Sequence, residues 1–483
     1  MAHATHLLPP TAAPDGEIVV ERRAPARDRL SWALYDFANT IFSMNVATLY
    51  FAVWLVSDLH VKNTAMAIGN GVSSLLVALS IPVFGAISDA TRRRKPWVVW
   101  FTVIACLATI AIGVVGQTMV PVTGDETIGA AALPAGWQIP MPALVAIIGA
   151  FIVANYAYQG ALPFYNAMLP ELAPLREQGR LSGIGTALGY VGSIAGVALV
   201  SAFFNGSVAG AFALPPNALT ALRSIIPFTS HGGRVSTFVP TALLFFLFTI
   251  PLILWCRDHL AGTVQRTRVK WREAFVDVAR TVRDAKQHPG ALRFILASFL
   301  YQDAMGTIIS YMALYAVVAM GFARGSEVKL FLILTIPAVI GSYVCGIVTD
   351  RIGPKKTLMG VIAAWVVLLA AMILAPSQQA FWVVGFLIGL IYGGVSTAER
   401  PLLLSLVPDV EAGRYFGLMV LSARAAAVLG PFVWAFAVDG LTPAFGTGIA
   451  YRAAVGTVAI AMLVALIILR KVPDTFAART RQR

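Results

Sequence analysis

The chain has 483 residues, 58% of them hydrophobic and only 12% charged, with a net charge of +13. That charged share is about half of what soluble domains carry, so a water-soluble globular fold is excluded. The basic excess is no nucleic-acid signature, because no basic face remains once the apolar stretches are placed.

Residues 1–29 carry Pro9, Pro10, Pro14 and Pro25 among mixed charges and read as a flexible cytoplasmic tail, not a secretory signal. Apolar stretches then follow at 30–56, 64–87, 97–119, 142–164, 181–204, 237–256, 291–320, 327–349, 357–375, 379–404, 414–438 and 448–470. Each is long enough to cross a hydrocarbon core about 30 Å thick. They are continuously apolar instead of alternating, which requires helices and excludes a barrel. The expected fold is an all-α membrane protein with twelve transmembrane helices in two six-helix bundles, 30–256 and 291–470. A cytoplasmic linker, 257–290, joins them, and a basic tail, 471–483, closes the chain.

Most Lys and Arg fall in the tails and in the loops on one side; Lys62, Arg223, Arg234, Arg324, Lys329 and Arg452 remain on the other. That bias places both termini in the cytoplasm. Cys106, Cys256 and Cys345 lie in apolar spans, so no disulfide framework is expected. The outer segments 120–141 and 205–236 read either as ordered caps over the outer mouth or, preferably, as loose connections. In span five, Gly185, Gly189, Gly192 and Gly196 form small-xxx-small pairs, suited either to close helix packing or to a rocking contact between the halves. In the linker, Trp271, Phe275, Val278 and Val282 share one face and predict an amphipathic helix along the inner membrane surface.

The chain also repeats itself. Gly85-Ala86-Ile87-Ser88-Asp89, followed by Arg92-Arg93-Arg94-Lys95, recurs as Gly346-Ile347-Val348-Thr349-Asp350, followed by Arg351, Lys355 and Lys356. Leu34-Tyr35-Asp36 is echoed by Leu300-Tyr301-Gln302-Asp303, and Gly179-Arg180-Leu181-Ser182-Gly183 by Gly413-Arg414-Tyr415-Phe416-Gly417. Three echoes in one order imply two homologous halves.

Six plus six spans, with Gly-x-x-x-Asp and a basic cluster after spans two and eight, resemble the major facilitator superfamily. Ser31-Trp32-Ala33-Leu34-Tyr35-Asp36-Phe37-Ala38-Asn39, Tyr165-Asn166-Ala167-Met168-Leu169-Pro170-Glu171-Leu172-Ala173-Pro174, Phe299-Leu300-Tyr301-Gln302-Asp303 and Ala427-Val428-Leu429-Gly430-Pro431 narrow the resemblance to the autophagy-related vacuolar effluxer family. Glu399-Arg400-Pro401 departs from it, since relatives have a Ser-Arg pair without proline there. The resemblance implies alternating access by two rocking halves. It assigns the gating role to Gly85, Asp89, Arg93, Arg94, Gly346, Asp350 and Arg351, and it suggests amino acids as solute, with efflux favoured.

An ionisable residue inside a span costs roughly 2.5–3.5 kcal/mol on insertion scales, so each is a functional candidate. Arg424 lies near the midplane of span eleven and suits either a solute carboxylate or a structural ion pair. Asp303 and Asp36, on the first helices of their halves, could carry a proton or could pair with Arg424 or Arg400. Asn39, Tyr35, Tyr301, Gln302 and Gln159 add donors and acceptors, although polar residues also hold helices together. Glu399 and Arg400 read as a local ion pair at the inner gate.

The expected activity is secondary transport of a small polar solute by a monomer in a lipid bilayer, a bacterial inner membrane, with no cofactor and with proton coupling as an option. A transport-inactive sensor or scaffold is the alternative. No paired-His zinc motif, Gly-x-Ser-x-Gly or Gly-x-x-x-x-Gly-Lys-(Ser/Thr) loop occurs, so enzyme and ATP-pump readings are set aside.

Overall fold

The computed structural model of the chain describes residues 11–12, 18–19, 23–59, 61, 63–91, 93–119, 138–208, 212–230, 232–258, 289–322, 327–408 and 411–474. The predicted amphipathic linker helix, most of the first outer segment and the two chain ends lie outside these residues.

The described chain is mostly helical. Helix α1 (Ala26–Phe42) starts before the predicted border and continues through π-helical turns at Ser43–Tyr50 and Trp54–Asp58. There follow α2 (Asn63–Thr91), α3 (Lys95–Met119), α4 (Met141–Ala167), α5 (Gln178–Asn205) and α6 (Phe238–Trp255). Beyond the linker come α7 (Pro289–Met320), α8 (Glu327–Ile352), α9 (Pro354–Leu374), α10 (Gln378–Leu406) and α11 (Ala412–Arg470). Helix α11 carries both of the last predicted spans. Gly446, at φ 79°, breaks it, so the expected connection 439–447 shrinks to one residue in a conformation that glycine adopts freely.

Seven of the described helical segments are long and apolar enough to cross a membrane, among them Lys95–Met119, Met141–Ala167 and Gln378–Leu406. Their outward faces expose large apolar side chains such as Trp100, Val367 and Phe436, as a surface bathed in lipid requires. Inside, rings interlock: Phe51 stacks on Phe151 at 4.0 Å, and Tyr311 on Trp434 at 5.0 Å.

Within the first half of the chain α1 packs on α5 and α6, and α4 on α2 and α3; within the second, α7 and α9 pack on α11, and α8 on α10. The halves meet where α5 lies against α8 and α10, and where α11 lies against α2 and α4. The glycine stripe of α5 resolves its two readings. A Cβ at Gly185 would meet Asp36, one at Gly192 would collide with the Phe37 carbonyl, and one at Gly196 would meet Ile41 and Asn45, all on α1. The stripe therefore packs α1 against α5 inside one half. The contact between halves uses two other glycines, Gly179 and Gly183.

The second outer segment differs from its predicted loose course. Ser207–Val208 pairs antiparallel with Phe212–Ala213, and Pro216–Ile225 is helical. Ser201 Oγ donates to the Ser207 carbonyl at 2.8 Å and Thr229 Oγ1 to the Ile226 carbonyl at 2.7 Å, so side chains satisfy backbone groups that a loop would leave to water.

Candidate functional site

Trp32 of α1 and Tyr165 of α4 stack at 4.6 Å with an interplanar angle of 12°. The Trp32 indole N–H donates to the Tyr165 carbonyl at 3.0 Å, and the Tyr165 hydroxyl donates to the Trp32 carbonyl at 3.1 Å. Two reciprocal bonds and a stack make this a rigid aromatic floor. Tyr35 buttresses it, its ring 4.9 Å from Tyr165 and its hydroxyl 2.8 Å from Thr102.

Asp36 follows on α1 and is buried; the bare backbone of Gly185 leaves room for its carboxylate. Arg400 of α10 reaches it from the other half, Nη1 to Oδ2 at 3.1 Å. The guanidinium lies 5.9 Å from the Trp32 ring and 5.8 Å from the Tyr165 ring. Such cation–π contacts contribute about 0.5–2 kcal/mol each, more as the site dries.

Glu399 is buried as well, and its Oε2 accepts from the Tyr301 hydroxyl at 3.1 Å and from Gln302 Nε2 at 2.9 Å, both on α7. The predicted local pair of Glu399 with Arg400 is thus corrected. Successive helical side chains point about 100° apart, so Glu399 faces α7 while Arg400 crosses to α1. Tyr190 of α5 and Tyr392 of α10 close the cluster across the halves, ring centroids 5.7 Å apart. Of the sequence candidates, Asp36, Tyr35, Tyr301, Gln302, Glu399 and Arg400 come together here.

Asp303 sits one residue along α7 but elsewhere: its Oδ1 accepts from the Gly430 N–H at 2.8 Å, just before Pro431 in α11. A Cβ on Gly430 would collide with Thr307 Oγ1 and meet Asp303, so glycine is what lets α11 approach α7. Asn39 and Gln159 are buried. Gln159 Nε2 donates to Asn155 Oδ1 at 3.0 Å, whose Nδ2 donates to Ser73 Oγ at 2.8 Å. Arg424 lies in α11, and Gly85 and Asp89 in α2, but their side chains fall outside the described residues.

A second arrangement lies at the end of the helices where α1 begins and α11 ends. Asp350 of α8 faces the first backbone N–H groups of α5, accepting from Arg180 at 2.9 Å with Gly179 beside it. A carboxylate at a helix N-terminus satisfies unpaired donors and meets the positive end of the dipole. Gly346 makes this approach possible, since a Cβ there would stand 2.9 Å from the Gly179 carbonyl. Burial pushes the Asp350 carboxyl up to about 7, against the lowering effect of those N–H groups. Arg351 is exposed.

Arg94 behaves differently from an exposed gate cation. It is fully buried, donating to Glu171 Oε1 at 2.7 Å, to the Ala167 carbonyl and to Ser88 Oγ at 3.2 Å. Asp258, just past α6, accepts the backbone N–H groups of Arg94 and Lys95 at 3.1 and 2.9 Å and so caps α3; burial pushes its carboxyl up. Arg93 is exposed. Glu171 stood in a quoted motif without a role, and nothing near Asp258 in sequence points to Arg94. Among the described residues no group of three or more His, Cys, Asp or Glu could hold a metal ion.

Comparison with known proteins adds the following. The family described as Vacuole effluxer Atg22 like matches residues 54–475. The MFS-type transporter YxiO of Bacillus subtilis (strain 168) is 23% identical over 465 residues, 94% of this chain and 96% of that protein. Autophagy-related protein 22 of Botryotinia fuckeliana (strain B05.10) is 26% identical over 232 residues, 42% of this chain and 34% of the fungal protein. Among solved structures, the E. coli fucose:proton symporter FucP superposes with a TM-score of 0.64 at 14% identity, covering 93% of this chain and 98% of that one. An outward-facing bacterial homologue of the iron transporter ferroportin gives 0.62 at 16% identity, covering 94% and 99%. At such identities the likeness concerns the fold, which is that of the major facilitator superfamily.

Proposed function

The chain belongs to the Atg22-like vacuole effluxer family, and from that membership we propose that it is a secondary active transporter that moves a small polar solute by alternating access. It is an integral membrane protein of the major facilitator type. In this reading twelve helices form two six-helix bundles, 30–256 and 291–470, which rock about the cluster at Asp36 and Arg400. The linker 257–290 keeps them joined, and the tails 1–29 and 471–483 lie on the cytoplasmic side of a bacterial inner membrane. The protein works as a monomer, without nucleic acid, cofactor or enzymatic chemistry.

The Asp36–Arg400 ion pair is the observation that carries this reading: its partners are 364 residues apart and almost dry. If the halves part at this end, the pair must open. Stripping one partner from a buried pair costs about 3–5 kcal/mol unless another charge replaces it. A solute bearing both a carboxylate and an ammonium can replace both partners at once, the carboxylate on Arg400 by a two-toothed bond and the ammonium on Asp36. An amino acid has that chemistry, and efflux is the favoured direction. Asp350 at the α5 N-terminus would act as the latch that closes this end, and Asp303, Asp36 and Arg424 remain candidates for coupling or solute binding.

The test is counterflow of radiolabelled amino acids in proteoliposomes. Exchange by the wild type, abolished in Arg400→Ala and reduced in Arg424→Ala and Asp303→Asn, supports the proposal. Absence of exchange across all twenty amino acids, with folding intact, would favour a transport-inactive sensor.

A further inference from the structure

Among the described residues, the cluster between the halves holds two carboxylates and one guanidinium. Asp36 comes from α1, and Arg400 and Glu399 from α10; the other titratable groups facing them among the described residues are Tyr35 of α1, Tyr165 at the end of α4, Tyr190 of α5, Tyr301 of α7 and Tyr392 of α10. Arg400 is committed to Asp36 at 3.1 Å and to the aromatic floor. Glu399, 6% exposed, receives hydrogen bonds only from the neutral donors Tyr301 and Gln302 among the described residues, both on the same oxygen. A second anion there would have to share the charge of Arg400 with Asp36 in a dry site, which is expensive. Two carboxylates sharing one cation titrate as a unit, and one of them keeps its proton.

We propose that Glu399 holds that proton, so that the Asp36–Glu399–Arg400 cluster stores one proton while the halves are closed on each other and releases it when the halves part and water reaches Glu399. A metal ion is a poor substitute. Tyr301 and Gln302 present donors to Glu399, whereas a hard cation wants a shell of oxygen acceptors. The proposal deepens the transport reading, on which its coupling role rests, by naming the coupling ion and its carrier.

The charge count makes the proposal testable without knowing the solute. Infrared spectra of the purified protein in bilayers at pH 7 report each non-hydrated protonated carboxyl group by its own carbonyl stretch. The wild-type spectrum should contain one such band that disappears in Glu399→Gln. The same band should disappear in Asp36→Asn, where Arg400 is left with Glu399 as its only carboxylate, and a second band should join it in Arg400→Gln. Identical wild-type and Glu399→Gln spectra overturn the proposal, as does a band that persists in Asp36→Asn. Thermal unfolding gives an independent reading: Glu399→Gln should melt near the wild type and Glu399→Ala well below it. A Gln variant as unstable as the Ala variant would show that the anion itself is required, and the stored proton would be refuted. None of these readouts depends on flux, so a failure of the transport assay and a failure of this proposal are separable.

Discussion

The two copies of the Gly-x-x-x-Asp turn use similar residues in opposite directions. In the first copy the basic end turns inward: Arg94 is fully buried and holds Glu171, the Ala167 carbonyl and Ser88, all within its own half. In the second copy Arg351 and Lys356 stay at the surface and Lys355 only touches the Arg470 carbonyl at 3.1 Å, while the carboxylate of Asp350 crosses to the other half. The repeat sets a helix end at each copy but not its partners. Partners depend on which third element arrives, a short helix bearing Glu171 in one case and the N-terminus of α5 in the other.

The comparison breaks most visibly at Arg94. Arg94→Ala should take this cation from the buried Glu171 carboxylate and cost about 3–5 kcal/mol, read as a collapse of folded yield and of the unfolding temperature in detergent. A loss no larger than that of a surface lysine would mean the pair is not buried. Gly346→Ala comes next. Its Cβ would press on backbone atoms of Gly179 and Arg180, which cannot rotate away, at about 1–3 kcal/mol. The expected readout is a longer distance between spin labels at Arg27 and Lys356, with the unfolding temperature less affected than by Arg94→Ala.

Asp350 sharpens the contrast through pH. Its carboxyl is raised to about 7 where the halves meet, so protons bind this closed arrangement more tightly than one in which Asp350 faces water. The sign follows from linkage: closure is favoured as pH falls below about 7 and loses that support as pH rises through it. The Arg27–Lys356 label distance should therefore shorten between pH 8 and pH 6, and Asp350→Asn should flatten that dependence while keeping an acceptor for the α5 N-terminus. A pH response unchanged in Asp350→Asn would assign the effect elsewhere. Lys355→Ala should be the mildest change, within about 0.5 kcal/mol, since its one described bond is exposed.

Much of the candidate site was legible. Desolvation cost alone marks Asp36, Asp303, Glu399 and Arg400, because a charge inside an apolar span needs a partner. The chain does not say which partner. Glu399 and Arg400 look like a pair because they are neighbours in sequence, yet helical geometry turns them toward different helices. Trp32 and Tyr165 were visible only as letters of a family pattern, since an aromatic floor needs two segments 133 residues apart to face one another.

Sequence by itself determined the membrane class, the helical spans and the internal repeat, because hydropathy, segment length and recurrence are properties of local stretches of chain. Tertiary structure alone decided that Arg400 meets Asp36, that Arg94 is turned inward, that the α5 glycines serve α1, and that Gly446 nearly abolishes a loop. Each of these depends on close packing between distant segments, where a single missing Cβ or a turn of about 100° along a helix selects the neighbour.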